Sequence, residues 1–179
     1  MSDTLPPAAA ATLERVTAAL TGLEADVTLA PDGVPSVTVA PALLADACGR
    51  MKDGAGFESN TFVTAIDHGV GAPARFEVVV QLLCFADAGR VRLRTRVEES
   101  DPVVPTITHL WPGAAYSERE CYDMFGVRFE GHANLRRLLM PQAYEHHPLR
   151  KEFPHQGIEP DKLYREWDRK RRTQEGQPS

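Results

Sequence analysis

The residues with the greatest potential for chemistry fall within one short stretch, Glu118–Gly126, which carries three acidic side chains and an arginine. Two carboxylates on one face of a helix could act as general acid and base. Glu118 and Glu120 would point to different sides of a helix, so the spacing does not favour catalysis. Arg119 and Asp123 are four positions apart and are predicted to pair across one turn. We therefore expect a charged helix face that contacts a partner or the chain that follows it.

The cysteines and histidines lack the spacing of a metal or cluster site. Cys48, Cys84 and Cys121 form no CxxC motif, so we expect three reduced thiols, at least two of them buried. The histidines beyond residue 130 show neither i, i+4 spacing nor an HExxH motif. We expect them to be loop residues that hydrogen-bond to backbone: His132, His146, His147 and His155.

Other catalytic signatures are absent from the sequence. It contains no GxGxxG or GxxxxGK[ST] motif, and no Ser or Cys occupies a nucleophile elbow. Gly69-Val70-Gly71 and Asp67-His68 are assigned to a turn between strands. A net charge of −5 argues against nucleic-acid binding, and no apolar run approaches the roughly 20 residues that span a bilayer. The sequence therefore predicts no catalytic, cofactor-binding or metal-binding residue on this chain.

Two groups of basic residues indicate possible contact surfaces. The arginines of one alternating strand share a single face: Arg90, Arg92, Arg94 and Arg96. They form either a solvated outer face that discourages aggregation at a sheet edge or a contact with an acidic partner. Arg136-Arg137 and Arg150-Lys151 stand beside leucines, which suits an interface because arginine forks fix orientation while leucines supply burial.

The elements that position these residues follow from periodicity and turn chemistry. Apolar residues at helical spacing predict a helix over 8–23, and the Pro31-Asp32-Gly33 turn separates strands at 26–30 and 36–40. A second helix is predicted to start at Pro41 and to end at Gly54 or Gly56. Three strands follow, at 57–67, 76–85 and 91–97. The fold class is α+β: a two-layer α/β sandwich, α-β-β-α-β-β-β, with short helices and an extended C-terminal arm after it.

The second part of the chain has a different texture. A short helix is predicted over Thr106–Trp111, stopped by Pro112, and another over Ala114–Phe125, closed by Gly126. From Val127 onward, many charges and prolines without periodicity predict an arm laid over another surface. We divide the chain into an α/β domain with the second of these helices, residues 1–126, and a partner-binding arm with a basic tail, residues 127–179.

Several motifs follow one another in order between residues 105 and 154. They are Leu110-Trp111-Pro112-Gly113-Ala114, Tyr116 with Glu118-Arg119-Glu120, Tyr122-Asp123-Met124-Phe125-Gly126-Val127 with Phe129, Gly131-His132, Leu135-Arg136-Arg137-Leu138-Leu139, Pro148-Leu149-Arg150-Lys151 and Phe153-Pro154. Together they resemble the signature region of the 30 kDa subunit family (the C-type subunit) of proton-pumping NADH–quinone oxidoreductase, or complex I. Ala133, His146 and Glu152 stand where this family usually has Pro, Gly and Asp.

The resemblance implies a structural subunit of the peripheral arm that packs against the 49 kDa-type subunit (the D-type subunit). FMN and iron–sulfur clusters would belong to partner subunits and carry electrons from NADH to quinone. The chain would lie at the cytoplasmic side of the cell (inner) membrane, held there only through the complex. Signature or interface roles are implied for Trp111, Pro112, Glu118, Arg119, Glu120, Tyr122, Asp123, Gly126, Gly131, His132, Leu135, Arg136, Arg137, Pro148, Leu149, Arg150, Lys151, Phe153 and Pro154.

Two other hypotheses remain at this point. The chain could be the homologous subunit of a membrane-bound hydrogenase or of another quinone- or cofactor-linked dehydrogenase, because the electron donor binds elsewhere. It could also be a free-standing enzyme or binding module. The mixture of leucine and arginine in the arm argues against the latter, since such a surface exposed alone would be sticky.

Overall fold

The computed structural model describes residues 7–158, 165–166 and 169–170. Helix α1 (Pro7–Ala19) is followed by strands β1 (Ala25–Leu29) and β2 (Pro35–Val39), which pair antiparallel. The helix ends four residues earlier than predicted because the chain turns at Gly22, which has a φ of 81°. The predicted turn between the strands is confirmed, with Gly33 at a φ of 77°.

The second helix begins with a short 3₁₀ turn, Pro41–Leu43, and continues as α2, Leu44–Ala55. Its buried face carries Ala47, Cys48 and Met51, as the sequence predicts. Gly56 ends it in the left-handed conformation, and its N–H donates to the carbonyl of Met51. The helix start at proline and the glycine end are therefore confirmed.

Three further strands complete a five-stranded sheet: β3 (Ser59–Asp67), β4 (Phe76–Leu83) and β5 (Arg90–Val97). The strand order is β1-β2-β5-β4-β3, and all pairs are antiparallel except β2 with β5, which is parallel. The almost continuous apolar run of β4 fits its burial on both faces. The alternation of β5 fits a strand with one face in the core and one outside.

The helices and one face of the sheet enclose a single hydrophobic core. Its members come from α1, from α2, from a later helix over residues 114–125 and from the inward positions of the sheet, including Val16, Met51, Val78, Leu93 and Phe125. The expected α+β sandwich is therefore confirmed.

The segment between the sheet and the last helix differs from the prediction. A strand, β6 (Val103–Pro105), pairs in parallel with β7 (Arg128–Glu130), and α3 (Ala114–Phe125) lies between them in the chain. The helix predicted over Thr106–Trp111 is wrong, because residues 108–110 form only a turn. The Thr106 hydroxyl and the Ile107 N–H both donate to the carboxylate of Glu118, which holds this segment out of a helix.

Helix α3 and its glycine end are confirmed, and the chain beyond Gly126 packs back on the domain. Val127 and Phe129 are 0% and 4% exposed and belong to the core. The first residues of the predicted arm thus contribute to the packing of the α/β domain. The interpretation of residues 127–179 as a partner-binding arm stays a prediction, and its basic stretch, 162–172, lies largely outside the described residues.

Candidate functional site

The acidic residues of α3 lie in different environments. Glu118 is completely buried, accepting hydrogen bonds from Thr106 Oγ1 at 2.6 Å and Ile107 N at 2.8 Å. Burial raises the pKa of its carboxyl group, although the two hydrogen bonds oppose this. Glu120 is exposed on another side of the helix. As the sequence predicts, the two carboxylates cannot act together on one atom.

Asp123 is the main contact between α3 and the arm. Its Oδ2 accepts hydrogen bonds from three consecutive backbone N–H groups, those of Leu138, Leu139 and Met140, at 3.0, 2.7 and 2.8 Å. Its Oδ1 lies 2.6 Å from Nη1 of Arg137, and both side chains are buried. Burial opposes ionisation, but these donors hold the pKa of Asp123 below its usual value. We call this the Asp123 anchor.

The predicted pairing of Arg119 with Asp123 is wrong. Arg119 donates instead to the backbone carbonyls of Arg136 and Arg137, at 3.1 and 2.9 Å. The physical reason is that backbone groups in the turn at 136–140 need partners outside the turn. Arg119 binds the carbonyls, and Asp123 binds the N–H groups. The broader expectation, a charged helix face that contacts the following chain, is confirmed.

Gly126 brings the end of α3 against a later part of the arm. It adopts a φ of 82°, and a Cβ at this position would lie 2.5 Å from Arg150 Nη2 and 2.7 Å from His147 Nε2. Arg150 Nε donates to the carbonyl of Phe125 at 2.7 Å, and His147 Nδ1 to that of Asp123 at 2.9 Å. The glycine therefore both ends the helix and leaves space for these two side chains.

Two of the four histidines bind backbone as predicted. His132 Nε2 donates to the carbonyl of Ala115, and its Nδ1 accepts from the N–H of Asn134. Burial lowers the pKa of His147, which favours the neutral ring. His146 contacts the rings of Tyr144 and Phe153 instead of backbone. It does not have a positive φ, so it replaces the usual glycine without backbone strain.

A second anchor was not predicted from the sequence. The carboxylate of Asp67, at the end of β3, accepts hydrogen bonds from Nε and Nη2 of Arg75 at 2.8 and 2.7 Å. Its Oδ2 also accepts a hydrogen bond from the N–H of Lys151 at 2.8 Å. Arg75, 1% exposed, also binds Glu99 at 2.6 Å and Glu152 of the arm. We call this the Asp67 anchor. The pairing of Asp67 with Arg75 could have been predicted, because the two residues flank the loop between β3 and β4. The contact of both residues with the distant arm could not.

The remaining signature residues divide by exposure. Trp111 is buried, and its Nε1 donates to the carbonyl of Glu58 at 3.0 Å. The half-buried ones are Arg119, Tyr122, Gly126, His132, Leu135, Pro148, Arg150 and Phe153. The exposed ones are Pro112, Glu120, Gly131, Arg136, Leu149, Lys151 and Pro154. The expectation that both arginines of the 136–137 pair face a partner is corrected for Arg137, which is buried against Asp123.

The anchors hold two leucines on the outside of the arm. Leu139 and Leu149 remain 62% and 54% exposed. The backbone N–H of Leu139 binds Asp123, and that of Leu149 binds the carbonyl of Met124 at 3.1 Å. Large apolar side chains on a fixed backbone, with exposed Arg136 close by, are typical of the buried anchors of a protein interface.

The described residues offer little for redox or metal chemistry. All three cysteines are buried and free, and burial raises the pKa of the Cys48 and Cys121 thiols, which disfavours thiolates. Within the described ranges, no group of three His, Cys, Asp or Glu side chains is placed to hold a metal ion. No helix in the same ranges is long and apolar enough to cross a membrane.

Sequence comparisons identify similar proteins. Residues 37–159 match the family model described as respiratory-chain NADH dehydrogenase, 30 Kd subunit. The C-type subunit of NADH-quinone oxidoreductase from Roseiflexus sp. (strain RS-1) is 43% identical over 121 residues, 66% of this chain and 69% of that protein. That of Roseiflexus castenholzii is 54% identical over 85 residues, 48% of this chain and about half, 49%, of that protein. A combined C/D-type subunit from Sulfurihydrogenibium sp. is 40% identical over 133 residues, 73% of this chain but 23% of that longer protein.

Solved structures show the same fold. A trypsin-resistant fragment (1–134) of Nqo5 superposes with a TM-score of 0.61 and 31% identity, covering 69% of this chain and 99% of the fragment. A chain of the membrane-bound sulfane sulfur reductase, an archaeal respiratory membrane complex, gives a TM-score of 0.68 over 79% of this chain and 85% of that one. At 24% identity, the second likeness concerns the fold alone.

Proposed function

Because this chain belongs to the family of the 30 kDa subunit of respiratory-chain NADH dehydrogenase, we propose that it is a structural subunit of the peripheral arm of proton-translocating NADH–quinone oxidoreductase. In this role it carries no redox centre. Electrons pass from NADH through FMN and iron–sulfur clusters of neighbouring subunits to quinone, and this chain holds those subunits in register. The buried thiols and separated carboxylates of the described residues fit such a role.

The observation that carries the proposal is the outer surface of the arm. Two buried carboxylates, Asp123 and Asp67, fix its backbone at residues 138–140 and at Lys151. A backbone fixed in this way presents Leu139 and Leu149 to solvent, so that binding requires little further ordering of the backbone. We therefore assign these leucines, with exposed Arg136, to the contact with a partner.

We propose that this partner is the 49 kDa-type protein, the D-type subunit. One relative is named as a combined C/D subunit, so in that protein the two subunits are named as one chain. Such a fusion is expected for two parts that lie side by side. The chain would then be peripheral to the cell membrane, on its cytoplasmic side, and would be held there by the complex.

A second candidate function keeps the fold but changes the complex. The same fold occurs in a chain of an archaeal sulfane sulfur reductase, so the fold by itself does not identify the complex. The alternative is the homologous subunit of a membrane-bound hydrogenase or of another quinone- or cofactor-linked dehydrogenase. The two differ in the electron donor, which binds on other subunits. A neighbouring gene for an NADH-binding flavoprotein would favour the first, and hydrogenase-type genes with no such flavoprotein gene would favour the second.

The test uses the affinity-tagged chain, purified from its native membranes. We expect a large assembly that contains FMN, iron–sulfur proteins and the D-type subunit. Replacing the two exposed leucines together, Leu139→Asp with Leu149→Asp, should lower recovery of the D-type subunit about tenfold or more, because charged groups would be buried without partners. Thermal unfolding of the isolated variant should stay close to that of the wild type, since both side chains are exposed.

The matched control is Phe85→Asp, which changes an equally exposed apolar residue, 68% accessible, outside the arm. This variant should retain the D-type subunit. Recovery of the tagged wild-type chain alone would contradict the proposed function. Full recovery with the double leucine variant would contradict only the assignment of the arm surface.

A further inference from the structure

The outer face of the sheet is a second surface, which none of α1, α2 and α3 covers. The inward residues of β3, β4 and β5 belong to the same core as these three helices, so the helices lie on the other side. The outer face carries Arg90, Arg92, Arg94 and Arg96 of β5 and, two strands away, Phe62 and Ile66 of β3. We call it the arginine face.

The arginine row lies at the middle of this face. Strand β5 is third of the five strands, between β2 and β4. A role in protecting a sheet edge against aggregation is therefore wrong, because a central strand has both of its edges paired. The row does lie on the outer face of the sheet, with Arg90 and Arg96 exposed, as the solvated-face interpretation also has it. The contact with an acidic partner is supported by the charges of this face.

The arginine face has an excess of positive charge. Glu77 is buried and is shared by Arg94, Arg96 and His68, with Arg96 Nη2 at 3.2 Å and His68 Nε2 at 2.7 Å. Arg92 binds Gln81 at 3.0 Å and Asp32 at 2.5 Å. Four guanidinium groups thus share this face with three carboxylates, those of Glu77, Asp32 and, on the outward side of β1, Asp26, and Arg90 makes no ion pair with any described residue. Each guanidinium has five N–H donors, so most of them remain available.

The apolar residues beside the row complete the composition of an interface. Phe62 and Ile66 are each 41% exposed and follow the same side of β3, with Thr64 between them. Adjacent strands lie about 4.8 Å apart, which places this apolar strip about 10 Å from the arginine row. Aromatic residues and arginines are enriched at protein interfaces, and an apolar strip beside spare guanidinium groups fits a partner that presents both carboxylates and apolar side chains.

We propose that the arginine face binds an acidic segment of a neighbouring protein subunit. Alternate residues of a strand are about 7 Å apart, so the four arginines match carboxylates repeated at about 6–7 Å, as on one face of an acidic helix or strand. A neutral partner would remove the Arg90 guanidinium from water without supplying an opposite charge, which disfavours it. The acidic character of the chain as a whole, at a net charge of −5, argues against a nucleic acid.

This inference rests on the proposed function only in taking the partner from the same complex. A photo-cross-linking amino acid at Thr64, in the tagged chain within its native membranes, identifies what covers the face. We expect a cross-link to a peptide of another subunit with a net negative charge. The control position is Thr17, exposed on α1, which should not link to that peptide. A lipid or nucleic-acid adduct, a neutral or basic peptide, or no cross-link would overturn the proposal.

Charge reversal tests the same point independently. Arg90→Glu with Arg96→Glu should lower co-purification of the cross-linked subunit about tenfold at moderate salt, whereas lysine at both positions should preserve it. Arg128→Glu removes an exposed arginine that pairs with Asp101 away from the face and should have no effect. Circular dichroism confirms folding of each variant. If the wild type recovers the complex and the double glutamate variant does so equally well, this inference fails while the proposed function stands.

Discussion

Gly126 lies where the end of α3 meets two side chains of the arm. Its left-handed backbone permits the helix to end, and its missing Cβ leaves room for His147 and Arg150. Gly56, at the end of α2, has the same backbone conformation, with a φ of 68°, but no atom lies within 4 Å of a Cβ built there. The two glycines therefore separate the cost of a strained backbone from the cost of a lost contact.

We expect Gly126→Ala to reduce the free energy of unfolding by about 2–3 kcal/mol, and Gly56→Ala by only about 1 kcal/mol. Both variants strain the backbone, but only the first displaces His147 and Arg150 from the end of α3. Urea unfolding of the two variants measures the difference. Equal losses would mean that the arm moves aside without cost and that its contact with Gly126 contributes nothing.

The sequence predicts a residue well where its role is local. Gly126 follows the last apolar residue of a helix, so it could be predicted as the helix end. The arm that passes over it comes from residues 147 and 150, and no local pattern indicates this contact. The same limit explains why the contacts of Asp67 and Asp123 with the arm could not be predicted. Both bind backbone N–H groups of distant segments, and every residue except proline carries such a group.

At the level of elements, α3 and the turn at 136–140 form one unit through the Asp123 anchor. Asparagine has nearly the shape of aspartate but only one acceptor oxygen and no charge, so it would leave a buried N–H group and Arg137 without a full partner. The helix itself does not depend on this side chain, which points away from its axis toward the arm.

We expect Asp123→Asn to lower the free energy of unfolding by about 3 kcal/mol. It should also make the 136–137 segment accessible to trypsin, because the single amide oxygen cannot hold both Arg137 and the three N–H groups that now bind Oδ2. Rates of cleavage after Arg136 measure this release. Glu120→Gln, an exposed change on the same helix, should stay within about 0.5 kcal/mol of the wild type. An Asp123→Asn chain that is as stable and as resistant as this control would contradict the anchor.

The elements themselves could be predicted from the sequence to within a few residues, except between β5 and α3 and at the short strand β7. Periodicity and turn residues define an element when its own side chains determine it, as for β5. Residues 106–111 include two threonines and an isoleucine, whose branched Cβ atoms disfavour a helix, and the carboxylate of Glu118 holds the segment in another conformation. The three-residue strand β6 is too short to produce an alternating pattern.

At the level of the whole molecule, ionisation of the anchors links stability to pH. Hydrogen bonds from Arg75 hold the pKa of Asp67 well below its usual value, and the pKa of Asp123 is also lowered. A depressed carboxyl pKa contributes stability that is fully present above the unfolded value of about 3.9 and is lost as the pH falls toward the folded pKa. The contribution of Glu118 to the pH dependence of stability has the opposite sign, because its pKa is raised and its ionisation lowers stability as the pH rises above about 4.3.

We therefore expect the free energy of unfolding of the wild-type chain to fall as the pH drops below about 4, toward the lowered pKa values of Asp67 and Asp123. Asp67→Asn should be less stable at pH 7 and should show a shallower fall over this range. The Glu118→Gln variant should gain stability relative to the wild type as the pH rises from about 4 to 7, because it has no carboxyl group to ionise at this buried position. Urea unfolding at a series of pH values measures all three curves. Parallel curves for the wild type and Asp67→Asn would show that Asp67 does not titrate with folding.

The sheet order could not be predicted from the sequence, because pairing between β2 and β5 depends on segments that are far apart in the chain. Ser36–Thr38 lie beside Arg92–Arg94, and α2, β3 and β4 all intervene. This topology also bears on the growing polypeptide. During synthesis the β1–β2 hairpin leaves the ribosome without its neighbour, and a lone hairpin is marginal in water. The middle of the sheet can close only after β5 has emerged, so more than half of the chain must be translated before the core can be completed.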